Sequence, residues 1–231
     1  MLFRSTSIEG KKVLLVTEQN VIQDDVRNRT ENRSVQVAKK FRDGCIKRGI
    51  SPKNVAYDGS GGGVVFGGLL SELWKENQNQ CLGIQFGGAA SERAASVADK
   101  RPAKDAFSNR VAELWYAGLD FVQSGQLKGL KPDTCTELTE RRVKDRIKTA
   151  SGTKVQIESK KEMKLRTNGK SCDKADSFII LLALCRERLG FTAVGMEGKR
   201  AELPRQRQDR KRLINRLYEG NTHEHAYADA A

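Results

Sequence analysis

The alternation of apolar and polar positions along the chain predicts strands and helices that follow one another in turn. An apolar run over residues 12–17 predicts a strand, and residues 2–8 can pair with it as a hairpin. Residues 34–48 carry apolar side chains every three or four positions, as amphipathic helices do. A strand over residues 54–57 and a helix over residues 64–75 follow. This order favours an α/β fold with a partly parallel central sheet.

The second half of the chain predicts further helices and one late strand. Strands are predicted over residues 81–86 and 154–158, a mobile loop over 91–104, and helices over 105–123, 136–149, 160–167 and 173–189. From about Gly195 the chain becomes basic and poor in apolar residues. We therefore expect a globular domain over residues 1–194 and a weakly ordered basic tail over 195–231.

Composition and charge suggest the kind of partner. The 231 residues include 42 Lys and Arg against 29 Asp and Glu, a formal net charge of +13. This excess points to a polyanion, most economically nucleic acid, although a basic surface that only maintains solubility is the alternative. No apolar run is long enough to span a membrane, so no membrane partner is expected. The N-terminus lacks the pattern of a signal peptide.

Cysteine and histidine usage narrows the possible chemistry. The five cysteines are widely spaced and form no CxxC pair, which disfavours a disulfide framework or a zinc ribbon and favours a reducing cytosol. The two histidines, His223 and His225, both lie in the predicted tail. A histidine general base in the core is therefore excluded.

A carboxylate followed by glycines is the first candidate site. Asp58 ends a predicted strand and precedes a glycine-rich turn, and ligands of open α/β sheets collect at such strand ends. The turn does not fit a dinucleotide-binding GxGxxG motif, because Val64 stands where the last glycine is needed. No Walker A motif is present around Gly169-Lys170-Ser171 either, because Lys164 stands where its first glycine is needed. Asp58 is equally well interpreted as the N-cap of the following helix.

Two carboxylates at the start of an apolar helix are the second candidate. Asp173 and Asp176 lie three residues apart, project from one helix face, and can hold a hard divalent cation. Taken alone, this stretch is better explained by Ser171 or Asp173 as the helix cap and by Asp176 as a complement of the helix dipole. With Asp58, however, three carboxylates could meet at one sheet edge. Such sets hold the paired metal ions that cleave phosphodiesters.

A basic helix between these two sites offers contacts to a nucleic-acid backbone. Lys160, Lys161, Lys164 and Arg166 follow a predicted strand in the sequence KVQIESKKEMKLR. Lysine and arginine side chains at such positions can contact DNA phosphates. The alternative is a charged helix face that only meets solvent.

Four segments, in their order along the chain, resemble a known family. NVAYDGSGGGVVFGGLL, NRVAELW, KVQIESKKEMKLR and KSCDKADSFIILLAL are similar to the C-terminal nuclease domain of tailed-phage terminase large subunits, over about residues 13–189. The resemblance implies an RNase H-like fold, with a mixed central sheet flanked by helices. It implies that Asp58, Asp173 and Asp176 bind Mg²⁺ or Mn²⁺. It also implies an endonuclease that cuts concatemeric double-stranded DNA during genome packaging in the bacterial cytoplasm.

The sequence also departs from that family. The strand that carries the family's first metal carboxylate has no counterpart here, so we expect the first strand to be missing and metal binding to be weakened. An alternative function is a catalytically impaired module that binds DNA or other packaging components, namely the ATPase motor part, the portal or the small terminase. A small-molecule enzyme, such as a methyltransferase that uses the glycine-rich turn, explains neither the second acidic pair nor the charge.

Overall fold

The secondary structure follows the predicted order through most of the chain. The computed structural model describes residues 1–8, 10–144, 147–149 and 152–194, so the predicted tail over 195–231 lies outside the described residues. The strands are β1 (Leu2–Ile8), β2 (Lys11–Glu18), β3 (Ala56–Asp58), β4 (Leu82–Ile84), β5 (Leu127–Lys128), β6 (Ile147–Thr149) and β7 (Gly152–Lys154). The helices are α1 (Arg33–Lys47), α2 (Gly62–Leu73), α3 (Ala103–Ala106), α4 (Arg110–Gln123), α5 (Pro132–Glu140), α6 (Lys160–Arg166) and α7 (Asp173–Arg188).

A three-stranded mixed sheet combines a hairpin with one strand that is distant in sequence. The predicted hairpin is present: β1 pairs antiparallel with β2, with Ser5 opposite Leu14. On its other side β2 pairs parallel with β5, where Leu14 lies opposite Leu127. Val13, Leu14 and Val16 of β2 are buried, which explains the β-branched, apolar composition of this strand. The predicted α/β class with a mixed sheet is therefore confirmed.

A second, smaller layer carries the first candidate site. Strands β3 and β4 pair parallel, and Asp58 lies opposite Ile84 at their carboxyl ends. Helices α1 and α2 pack together beside this pair. Their interface contains a small core of its own, formed by Ala38, Cys45, Val55, Leu70, Trp74 and Cys81. This core holds the strand that ends in Asp58.

Helix α7 is the central element of the larger core. Phe178, Ile179, Leu182 and Cys185 are completely buried along it. It packs against α4, α5 and β3, which explains why the sequence is apolar on nearly every face of this helix. Its first turn, which carries the acidic pair, reaches the surface. All five cysteines are buried and unbridged. Within the described ranges, no helix combines the length and the apolar character needed to cross a bilayer.

The region between α5 and α6 differs from the prediction. The helix predicted over 136–149 is wrong in its second half, because α5 ends at Glu140 and residues 147–149 form β6. The backbone turns at Arg141 (ψ 127°), whose side chain is drawn into the core by contacts described below. Likewise, the strand predicted over 154–158 is mostly wrong, because β7 covers Gly152–Lys154 and shares only Lys154 with that range. Val155 and Ile157 make only isolated bridges to Phe107 and Val143.

The stretch predicted as a mobile loop is attached to the core. Glu113 of α4 accepts hydrogen bonds from the backbone N–H and the hydroxyl of Ser91, both at 2.7 Å. Arg93 donates to the carbonyl of Arg186 in α7 at 2.7 Å. Ser96 is buried further along the same stretch. Polar composition was therefore a poor guide here, because the polar groups bind buried partners.

Candidate functional site

Asp58 lies at the end of β3, in the turn that leads into α2. Its carboxylate accepts a hydrogen bond from the backbone N–H of Ser60 at 2.9 Å and another from the Ser60 hydroxyl. Helix α2 begins at Gly62, and its N-cap is Gly61. The N-cap interpretation of Asp58 is therefore wrong. The carboxylate is exposed at the carboxyl end of the strand, where a ligand could reach it.

The glycines of this turn are needed for close backbone packing. Gly61 has φ +54°, a conformation that side chains with a Cβ rarely adopt. A Cβ on Gly63 would lie 1.5 Å from the backbone oxygen of Asp58. The glycine-rich stretch is thus explained by the geometry that turns the chain sharply after Asp58.

Asp173 and Asp176 lie together in the first turn of α7, with an ammonium group between them. Nζ of Lys160, at the start of α6, lies 2.7 Å from Oδ1 of Asp173 and 2.8 Å from Oδ2 of Asp176. The Asp173 side chain is 75% exposed, whereas that of Asp176 is only 13% exposed. Neither Ser171 nor Asp173 is the helix cap, since the N-cap is Cys172 and makes no side-chain capping bond, but both carboxylates lie in the first turn, where they complement the helix dipole. The pair thus forms a surface site with one exposed and one recessed carboxylate.

The charges of this cluster stabilise one another. Burial acts to lower the pKa of Lys160, but hydrogen bonds to Asp173 and Asp176 outweigh it and raise that pKa above its ordinary value. The hydrogen bond from Lys160, followed by one from Ser171, lowers the pKa of Asp173. Lys160 and Asp173 therefore remain charged near neutral pH.

The recessed carboxylate also has partners on its buried side. Oδ1 of Asp176 lies 3.6 Å from Sγ of Cys172 and 3.9 Å from Nη1 of Arg141. Burial, and then the nearby Asp176 charge, raises the pKa of the Cys172 thiol to about 11. Cys172 is consequently a neutral thiol that can donate a weak hydrogen bond to Asp176.

Helix α7, which carries the acidic pair, also contacts the region that leads to Asp58. Arg188 in the last turn of α7 donates to the carbonyl oxygens of Lys53 and Gln80, just before β3 and β4. Helix α7 also packs against β3, the strand that ends in Asp58. Even so, no group of three or more His, Cys, Asp or Glu side chains among the described residues is placed to hold a metal ion. The ligand set of Asp58, Asp173 and Asp176 stays a prediction.

An open depression of about 550 Å³ adjoins the acidic pair. It is lined by Lys160, Lys161, Lys164, Leu165, Asn168 and Gly169. Three of the four residues predicted to contact DNA therefore share one concave basic surface, which we call the lysine depression. Arg166 instead pairs with the buried Glu158 and donates to the carbonyl of Glu140 at 2.6 Å. Arg166 is thus engaged in holding α6 to the core.

Some contributors to the site were missed from the sequence. Arg141 and Glu158 lie far from Asp176 in sequence and carry no local motif, so nothing marked them in advance. A signal did exist for the start of α6. Ser159 and Glu162 form a reciprocal capping box, and Ser-x-x-Glu is its recognised pattern. Lys144 then pairs with Glu162 and lowers the pKa of that carboxyl to about 2.

Of the comparisons with known proteins, the one with solved structures found similar chains. No family model matches the sequence, and no curated protein matches it. The structure is similar to the nuclease domain of the large terminase subunit gp2 of bacterial virus Sf6, with a TM-score of 0.49 and 20% identity over 66% of this chain and 73% of that one. A lysine-to-alanine variant of that domain, solved with manganese and beta-thujaplicinol, has a TM-score of 0.49 and 20% identity over 67% of this chain and 74% of that one. Both are of the class that the sequence motifs resemble.

Proposed function

We propose that this chain is a divalent-metal-dependent DNA endonuclease with an RNase H-like fold, acting as the nuclease domain of a phage terminase large subunit in the host cytoplasm. The proposal rests on one observation, the position of Lys160 between two neighbouring features. Lys160 belongs at once to the acidic pair and to the lysine depression. A group that can bind phosphate is thereby placed beside carboxylates that can take part in cleaving it.

The lysine depression suits the backbone of double-stranded DNA. Lys161 and Lys164 lie one helical turn or less apart on the same helix and open to solvent. Ammonium groups bind phosphates as point charges, without reading the bases. The net charge of +13 strengthens attraction to DNA at longer range. The depression therefore holds the backbone in place but does not select a sequence.

The carboxylates fit a hard divalent ion in their chemistry. Asp58, Asp173 and Asp176 offer only oxygen ligands, which Mg²⁺ and Mn²⁺ prefer. Asp58 and Asp173 are exposed. Oδ2 of Asp176 and Oδ1 of Asp173 both contact the ammonium of Lys160, so they face the same space. Such an ion activates a water molecule and stabilises the leaving oxygen of a phosphodiester.

Lys160 keeps the acidic pair in position before the divalent ion binds. Its ammonium offsets the charge of two carboxylates that would otherwise repel one another. Its four-carbon side chain is 40% exposed and can turn toward a phosphate in the depression. We propose that Lys160 leaves the acidic pair when the divalent ion binds, which exposes Oδ1 of Asp173 and Oδ2 of Asp176 and frees the ammonium for a DNA phosphate.

A second candidate function is a module that binds DNA, or other components of a packaging machine, without cutting. The observation that favours it is that Lys160 already satisfies both carboxylates. Partners of that kind would be the ATPase motor part, the portal or the small terminase. This function needs the lysine depression but neither Asp58 nor the acidic pair.

Nicking of supercoiled plasmid in Mn²⁺ separates these two functions. We expect the parent chain to nick DNA, and Asp58→Ala, Asp173→Asn or added EDTA to abolish nicking. The matched control is Asp43→Asn, because Asp43 is an exposed aspartate on α1 that pairs only locally with Arg42. Its nicking rate should equal that of the parent.

Each contrary result has a definite meaning. Intact plasmid together with salt-sensitive binding would reject the endonuclease and leave the binding module. Nicking that survives Asp58→Ala would remove Asp58 from the site.

A further inference from the structure

The buried side of Asp176 is formed by an arginine that is itself fixed in place. Arg141 directs Nη1 toward Oδ1 of Asp176 at 3.9 Å, while its Nε donates to the carbonyl of Glu158 at 2.9 Å. Its side chain is only 6% exposed. An arginine buried to this extent needs partners for its charge, because an unpaired buried charge is costly.

An aromatic ring defines the position of this guanidinium. The Arg141 guanidinium carbon lies 4.7 Å from the ring centroid of Trp115, within the range of a cation–π interaction. Trp115 is buried in α4, and its Nε1 donates to the carbonyl of Leu138 at 3.2 Å. The guanidinium is thus held between a fixed ring and a backbone carbonyl. It has little freedom to follow a ligand.

The two oxygens of Asp176 face different partners. Oδ1 lies toward Arg141 and Cys172, whereas Oδ2 accepts a hydrogen bond from Lys160. Lys160 is partly exposed and borders the lysine depression, so it can exchange Asp176 for a phosphate. Arg141 cannot make that exchange. A carboxylate with one oxygen fixed from behind presents the other oxygen in a constant direction.

We infer that Arg141 is a positioning residue, which fixes Oδ1 of Asp176 so that Oδ2 stays directed into the site after Lys160 departs. This inference rests on the proposed function and adds a residue that the sequence did not mark. Arg141 touches neither DNA nor the ion in this scheme and acts only through Asp176. Residues that orient a ligand from behind typically change metal affinity or activity 10- to 100-fold when they are replaced.

Two variants and a matched control test the inference. Arg141→Met keeps much of the apolar contact with Trp115 and removes the charge, and Arg141→Lys restores a charge. Arg142→Met removes the same charge from the adjacent, exposed arginine. For each, we would measure Mn²⁺ binding without DNA by electron paramagnetic resonance, the Mn²⁺ concentration that gives half-maximal nicking, and the affinity for duplex DNA.

The expected pattern distinguishes positioning from general damage. Arg141→Met should weaken Mn²⁺ binding and raise the half-maximal Mn²⁺ concentration by about 10-fold or more, with DNA affinity and the circular dichroism spectrum unchanged. Arg141→Lys should recover part of the loss, and Arg142→Met should match the parent. Equal Mn²⁺ affinity in Arg141→Met and the parent would overturn the inference, as would loss of structure in both Arg141 variants.

Failure of the proposed function would look different. A parent chain that binds Mn²⁺ but does not nick DNA would reject the endonuclease, while the comparison of Mn²⁺ affinities would still decide the role of Arg141. A parent chain that binds no Mn²⁺ would overturn both.

Discussion

Replacing Gly63 with alanine should disrupt the turn that positions Asp58. The added Cβ would lie 1.5 Å from the backbone oxygen of Asp58, and that atom belongs to the main chain rather than to a flexible side chain. The oxygen would have to retreat by roughly 1.8 Å to reach the ~3.3 Å at which carbon and oxygen ordinarily approach. A forced backbone shift of this kind should lower the free energy of unfolding by about 2–4 kcal/mol.

The neighbouring Gly62 provides a matched control. A Cβ on Gly62 meets nothing within 4 Å, and Gly62 is the first residue of α2. Gly62→Ala should therefore raise the free energy of unfolding by about 0.5 kcal/mol, through the lower entropy of its unfolded chain. Urea denaturation followed by circular dichroism measures both values. Equal denaturation midpoints for Gly63→Ala and Gly62→Ala would refute the reasoning.

Further predictions concern the basic helix and a buried charge cluster. Lys164→Met should weaken duplex DNA binding and reduce its salt dependence by about one counterion in a salt titration. Arg166→Met should leave that slope unchanged and destabilise the fold by ~1–3 kcal/mol, because the buried Glu158 loses its charged partner and is left with the hydrogen bond from the backbone N–H of Arg142. Glu113→Gln should cost about 3 kcal/mol in urea denaturation at pH 7, since Arg110 and Arg186 lose their buried counter-charge. Burial acts to raise the pKa of Glu113, but the two arginines and Ser91 outweigh it and hold that pKa below its usual 4.5. The difference between Glu113→Gln and the parent should therefore shrink as the pH falls through that lowered pKa; a constant difference would contradict the assignment.

Local patterns predicted the elements that depend on local causes. Helix α7 was predicted almost to its ends, because a long apolar run follows acidic residues that favour a helix start and precedes arginines that favour its end. The β1–β2 hairpin was predicted from one apolar run and the turn-like residues that precede it. The spacing of Asp173 and Asp176 correctly indicated one helix face. In each case the determining interactions lie within a few residues.

The incorrect predictions lie where the backbone conformation is determined by contacts between residues that are distant in sequence. The helix predicted over 136–149 stops at Glu140 because Arg141 turns inward to Trp115 and to the Glu158 carbonyl, and neither partner is near in sequence. The position of Lys160 between two carboxylates likewise depends on where α6 lies relative to the first turn of α7.

The case of Arg166 could have been resolved from the sequence. Lys160 and Lys164 are separated by one helical turn, and Arg166 lies about 200° around the helix from Lys164. Its side chain therefore had to leave the face that the lysines share. In the structure it does so and binds Glu158.

Lys160 stabilises the two neighbouring carboxylates of the acidic pair. Asp176 is recessed, and a recessed carboxylate near a second one is unstable unless a positive charge accompanies it. Arg141 provides part of that charge from the buried side at 3.9 Å, and Lys160 provides the rest from the exposed side at 2.8 Å. Only the exposed partner can be exchanged without opening the core. A ligand that brings its own positive charge can therefore replace Lys160 at the carboxylates while the fold around Arg141 stays intact, and the freed ammonium then lies beside a basic surface suited to phosphate.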